Sequence, residues 1–253
     1  SMLELEPPRH TRLRSLVLRA FTSRRINALA PEVEALSRDL VSRFPASGPF
    51  DLLTAYAETI PVVIIARMLG VPETMRDQLL VWSHAMVGMY QAGRTRAMED
   101  AAARASAEFA DFLRGYVEER RQRPGDDLIT SLIEAEEDGK TLSTDELIST
   151  CILLLNAGHE ATVHAIGNGV KALLQAGGPK DWLTPDRIGA TLEEMLRFDP
   201  PLHMFTRWAY EPVEVMGHVF QPGDQVGVML AAAARDPGVW DRPNRFDPAR
   251  PAK

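Results

Sequence analysis

The stretch NAGHEATVH, residues 156–164, sets a glycine, two histidines and a glutamate inside an otherwise apolar segment. Histidine and glutamate ligate metals or move protons, and spacing separates the two uses. Two histidines four apart share one helical face and can grip zinc, with a glutamate between them as base. His159 and His164 are five apart, about 140° around a helix at about 100° per residue. That pair holds no ion without unwinding the helix, and no metal ligand set is assigned. A glutamate in an apolar helix is costly to bury unless paired or neutralised. Glu160 is therefore a candidate for proton work, or else marks a turn that meets water. Gly158 costs a helix about 1 kcal/mol relative to alanine. With Ala157 beside it the surface is nearly flat, which suits either a bulky planar group or the close approach of another helix.

Three further constellations carry charge at defined spacing. In EPPRHTRLRSLVLRAFT, His10 and Arg14 sit four apart on one helical face, a donor pair suited to carboxylates or phosphates and equally to a solvated face. In EEMLRFDPP, Glu194 and Arg197 are three apart and can pair, as they do on many surface helices. Arg207 precedes a β-rich stretch, and Arg245 lies in the proline-bounded DRPNRFDPAR.

The elements that must position these groups are helical. Pro31 opens an amphipathic segment with Val33, Leu36, Leu40, Val41 and Phe44 on one stripe. PVVIIARMLGVP is a short apolar helix ended by Gly70 and Pro72. Residues 94–121 form a long charged helix with Phe109, Phe112, Leu113, Tyr116 and Val117 facing a core. Ser143 and Glu146 make a capping box that launches a helix over residues 143–175. Thr184 is expected to cap the next helix, with Pro185 at its first position and the DPP of residues 199–201 as its stop. A small β region follows near residues 208–228. The fold class is mainly α, one domain over residues 1–253.

Composition bounds the function classes. At 253 residues and 45% hydrophobic, the chain can bury a sizeable core. Its net charge of −7 argues against a general nucleic-acid binder, although residues 1–25 hold six arginines against two glutamates, a local balance of +4. The single cysteine, Cys151, excludes an internal disulfide framework and suits a reducing compartment. The longest apolar runs fall short of a membrane span, and no secretory signal opens the sequence. A soluble, cytoplasmic protein is expected, with no nucleic acid and no membrane among its partners.

In their order, PPRHTRLR, AGHEAT, EEMLR, TRWA and RPNRFDPAR resemble the cytochrome P450 family, in its soluble bacterial type, over essentially the whole chain. The resemblance implies a partial P450 fold: a helical core, incomplete at both ends, with haem as cofactor. It implies that His10, Arg14 and Arg207 hold haem propionates and that dioxygen and the haem face sit under Ala157 and Gly158. Glu160 would relay protons; because Ala161 stands where the family usually has threonine, water, a substrate hydroxyl or a rearranged Thr162 would substitute for its hydroxyl, or reducing power would be lost as peroxide. Glu194, Arg197 and Arg245 would form a buried structural network. Leu153 and Asn156, with His203, Met204 and Phe205, would face substrate. The activity implied is a haem-thiolate monooxygenase that inserts one atom of O2 into a small apolar organic molecule. Electrons would come from a ferredoxin-type partner drawn to the basic segment. The family's iron-ligating cysteine loop follows FDPAR, whereas this sequence ends at RPAK. The chain as given is accordingly expected to lack the thiolate and to be inactive. A haem-free helical scaffold derived from the same fold is the alternative.

Overall fold

Proline or a capping side chain marks several of the helix starts, and a glycine marks one clear stop. The computed structural model describes residues 2–91, 93–137 and 139–250, and the chain divides into two compact units, Ser1–Val163 and His164–Lys253. The division falls inside one long helix.

In the first unit, α1 (Arg9–Ala20) is followed by α2 (Ser23–Ala28), capped by the Thr22 side chain, and α3 (Ala30–Ser42), which has Pro31 in its first turn. Of the expected α3 stripe only Leu40 is buried, and Val41 is 50% exposed, so this helix lies over the core edge. Helix α4 (Thr59–Leu69) ends where Gly70 adopts φ 75°, a left-handed conformation that glycine takes without steric cost. Next come α5 (Arg76–Val87), α6 (Arg96–Gln122), capped by Thr95, and α7 (Leu128–Glu134), capped by Asp127. The core forms where Phe109, Leu113 and Val117 of α6 meet Leu16 of α1, Val62 and Leu69 of α4, Leu79 of α5 and Leu128 and Leu132 of α7. The Trp82 ring stacks on Phe109 at 4.9 Å. A two-stranded pair, β1 (Glu136–Glu137) with β2 (Lys140–Thr141), follows α7. Each strand has two residues, too few to leave an alternating pattern, so it was not anticipated.

Helix α8 (Thr144–Gln175) runs over the span expected. Its cap is reciprocal: the Ser143 hydroxyl accepts from the Glu146 amide at 3.2 Å, and Glu146 accepts from the Ser143 amide at 3.0 Å. Its buried face contributes Leu147, Cys151 and Leu155 to the core of the first unit.

The second unit differs from expectation at two boundaries. Helix α9 (Ile188–Phe198) begins after residue 187 and not at Pro185. The Thr184 hydroxyl donates back to the Asp181 carbonyl of a preceding 3-10 turn, and residues 185–187 make a turn before the helix. The β region starts at Met204 and not near 208. Strand β3 (Met204–Trp208) pairs antiparallel with β6 (Gln225–Met229), with Arg207 opposite Val226. Between them lies the hairpin of β4 (Val213–Val215) and β5 (His218–Phe220). Short helix α10 (Leu230–Ala233) follows. A smaller core joins Ala172 and Leu173 of α8 to Phe246, Met195 and Phe198.

Candidate functional site

The middle of α8 keeps one stripe open. Ala157 is exposed, while Leu153, Glu160 and Ala161, three or four residues from it, are partly buried. Its neighbour Gly158 faces the other way: a Cβ built there would lie 2.8 Å from Ile65 Cδ1 of α4. The two small residues therefore have different uses. Gly158 lets α4 approach, and Ala157 keeps the open face flat.

Glu160 has its side chain 21% exposed, with Oε1 3.5 Å from His84 Nε2 on α5 and 4.0 Å from His159 Nδ1. His159 is fully buried, its Nδ1 3.3 Å from the buried Ser83 hydroxyl. Glu160 is thus neither an isolated buried charge nor a wholly solvated one. The Thr162 hydroxyl donates to the Gly158 carbonyl at 2.8 Å, so in this conformation it serves the helix backbone.

Leu153 and Asn156 line a hollow of about 750 Å³ together with Met86, Met89 and Tyr90. The Asn156 amide donates toward Met86 Sδ at 3.8 Å, and its buried Oδ1 has no hydrogen-bond partner among the described residues. Cys151 lies on the opposite, buried side of α8 at 0% exposure. Burial pushes its thiol up to about 12, which makes it a small hydrophobe and not a thiolate.

Helix α1 is held on its inner side and open on its outer side. Arg12 pairs with Glu146 at the start of α8, and Arg9 lies 3.8 Å from the same carboxylate. Burial pushes the Glu146 carboxyl up, but the Ser143 amide and the Arg12 guanidinium outweigh burial and hold it below its ordinary value. His10 and Arg14, on the other face, line an outward hollow of about 440 Å³ with Thr11, Ser15, Leu18 and Arg19. Imidazole and guanidinium donors on one wall suit a carboxylate.

In the second unit Glu194 and Arg197 are buried at 4% and 8% exposure. Arg197 forks onto the carboxylate, Nε at 2.7 Å and Nη2 at 2.9 Å, and its Nη1 reaches the carbonyls of Ala234 and Pro243. The third guanidinium is that of Arg250, 3.4 Å from Glu194 Oε2, and not that of Arg245. Arg245 has an exposed side chain and enters through its carbonyl, which accepts from Arg197 at 3.3 Å and Arg250 at 3.0 Å. The buried cluster is thus Glu194, Arg197 and Arg250, with Arg245 contributing its carbonyl and not its side chain.

His203, Met204, Phe205 and Arg207 are exposed at or on β3. Arg207 donates to the neighbouring Thr206 carbonyl at 2.9 Å and sits 5.8 Å from the Phe205 ring centre, while His203 lies 3.9 Å from Asp199.

Sequence reasoning missed His84, Ser83 and Arg250. The first two come from a helix some 76 residues distant, and no periodicity links such positions. Arg250 stood in the quoted DRPNRFDPAR, but three arginines in one loop give no spacing rule that ranks them.

A family model described as Cytochrome P450 matches residues 1–176 and 188–253. A relative called putative cytochrome P450 YjiB, from Bacillus subtilis, is 35% identical over 252 residues, covering 98% of this chain and 64% of its own. The vitamin D(3) 25-hydroxylase of Pseudonocardia autotrophica is 40% identical over 255 residues, covering 99% of this chain and 62% of its own. A solved structure of ligand-free cytochrome P450 TbtJ1 superposes with a TM-score of 0.92 at 32% identity, over 99% of this chain and 66% of that one. The chain thus spans less than two thirds of the length of these curated relatives.

Proposed function

Because the chain belongs to the cytochrome P450 family, we propose that the protein it forms is a haem-thiolate monooxygenase that inserts one atom of O2 into a small, mainly apolar organic molecule. The observation that carries this is the open stripe of α8: a helix that buries most of its middle leaves Ala157 exposed, with Leu153, Glu160 and Ala161 beside it. The family's cofactor is haem. The residues present fit its acid arms, since His10 and Arg14 wall one hollow. They would not supply a thiolate to its iron, because the single cysteine is buried in the core with its proton firmly held. When bound, haem supplies the iron that activates O2.

The chain's own residues then divide the work. His10 and Arg14 bind propionate, and Arg207 does so from β3. Ala157 presents a flat surface to the haem. Leu153 and Asn156 face substrate, and the Asn156 Oδ1 takes a donor from it; His203, Met204 and Phe205 contribute from the start of β3. Glu160 moves a proton at Oε1, with His84 Nε2 as its neighbour. Ala161 offers no hydroxyl, and the Thr162 hydroxyl joins only by leaving the Gly158 carbonyl. Glu194, Arg197 and Arg250 hold the loop after residue 241 in place.

Electrons come from a ferredoxin-type partner that docks on the basic segment of α1 and α2, where Arg19 and Arg24 are exposed. No helix among the described residues is long and apolar enough to cross a membrane, and the single buried cysteine suits a cytoplasmic location. The test is Glu160→Gln in the full-length, haem-loaded protein. A general acid contributes about 10²- to 10⁴-fold, so turnover falls by about 100-fold or more, or O2 consumption uncouples from product. Unchanged turnover and coupling would remove Glu160 from the mechanism.

A further inference from the structure

Within one helix, His159 and His164 cannot share an ion. The fold brings a different second histidine, from α5. His84 Nε2, His159 Nδ1 and a Glu160 carboxylate oxygen form a group in which one ligand atom of each lies within 4.8 Å of the others. Two of the separations are 3.5 Å, His84 to Glu160, and 4.0 Å, His159 to Glu160.

A tetrahedral zinc site with bonds near 2.1 Å sets its donors about 3.4 Å apart. The His84–Glu160 edge already has that spacing, the His159–Glu160 edge must shorten by about 0.6 Å and the remaining edge by at most about 1.4 Å, which rotation of the half-exposed His84 side chain supplies. Burial is graded across it: His159 is fully buried, Glu160 is 21% exposed and His84 is 51% exposed. Two ligands are therefore fixed by packing, and the third can swing in from solvent. The His159 ring is oriented by the Ser83 hydroxyl at 3.3 Å, a contact that a metal at Nδ1 would replace.

We propose that His84, His159 and Glu160 form a binding site for a divalent cation of the zinc class, with three protein ligands and an open position on the solvent side of His84. Two imidazoles and one carboxylate are the donor set such ions favour. Binding does not depend on the monooxygenase reading. Its consequence does: zinc held there withdraws the Glu160 carboxylate from proton traffic and acts as a brake on turnover.

The experiment is equilibrium dialysis of the purified full-length protein, stripped of adventitious metal, against zinc chloride, with zinc per chain counted by plasma mass spectrometry. His84→Ala and Glu160→Gln are compared with wild type, and His164→Ala is the control that keeps the three ligands. The expected result is about one zinc per chain in wild type and His164→Ala. Each ligand variant should bind more weakly by at least the roughly 100-fold that loss of an outer-shell partner can reach. Far-UV circular dichroism checks that folding is kept, and Glu160→Gln serves if His84→Ala unfolds. Wild type binding no more zinc than the ligand variants, or His164→Ala losing zinc with them, overturns the site. Zinc binding with no effect of Glu160→Gln on turnover would retain the site and refute the proton role alone.

Discussion

Replacing Arg250 with alanine should be far more damaging than the same change at Arg245. Glu194 is 4% exposed and keeps the Arg197 fork and the Asp247 amide at 2.8 Å in either variant. Loss of Arg250 removes a charge 3.4 Å from the carboxylate, worth at most about 5 kcal/mol at an effective dielectric near 20 before desolvation is subtracted. It also removes the bonds from Arg250 to the carbonyls of Asp241, Arg242 and Arg245, which lie near the surface and regain water. Breaking a buried pair costs about 3–5 kcal/mol. Because part of this network is wet, the net expected is about 3 kcal/mol. For a chain of this size that lowers Tm by about 6–12 °C. Arg245→Ala retains the carbonyl that both guanidiniums use, and as an exposed substitution it should stay within about 0.5 kcal/mol. Arg250→Lys, which keeps charge and loses the fork, should fall between them. Thermal unfolding followed by circular dichroism reads all three. Equal destabilisation by the two alanine variants, or a neutral Arg250→Ala, would refute the assignment of the third network member.

Other outcomes follow from single contacts. Gly158→Ala gains about 1 kcal/mol of helix propensity but forces Ile65 Cδ1 from 2.8 Å. The overpacking costs about 1–3 kcal/mol, so the variant is neutral to destabilised, and adding Ile65→Val, measured by urea unfolding, should turn the change favourable. The Glu146 carboxyl is held below its ordinary value, so its contribution is present above the unfolded-state pKa and lost as pH falls through the lower folded pKa. Glu146→Gln should flatten that acid-side loss in a stability-versus-pH series. Cys151, with its thiol pushed up to about 12, should resist alkylation by iodoacetamide in native protein and react on denaturation. Labelling of the folded chain at the denatured rate would contradict the burial.

Local chemistry made much of the fold legible. The Ser143 and Glu146 capping box placed a helix start within one residue, and Gly70 ended α4 where a left-handed residue was needed. Elsewhere a cap-like residue stood too early. Thr184 has the form of a cap, but residues 185–187 make a turn and the helix begins only at Ile188. Strand β3 was missed because its pattern is wholly exposed: without a buried alternation, MFTRW has no period to detect. Groupings within one helix were legible, since His10 and Arg14 line one hollow and Glu194 and Arg197 pair. Groupings that join elements were not, so the Glu160 neighbour His84 and the Glu194 neighbour Arg250 emerged only from the fold.

The most direct measurement of the central claim is a structure of the full-length protein with haem bound. A propionate within hydrogen-bond distance of His10 and Arg14, and the macrocycle lying against Ala157 with Glu160 beside it, is the predicted result. Haem bound elsewhere, with the Leu153 to Ala161 stripe of α8 covered by protein and the His10 and Arg14 hollow left to solvent, would contradict it.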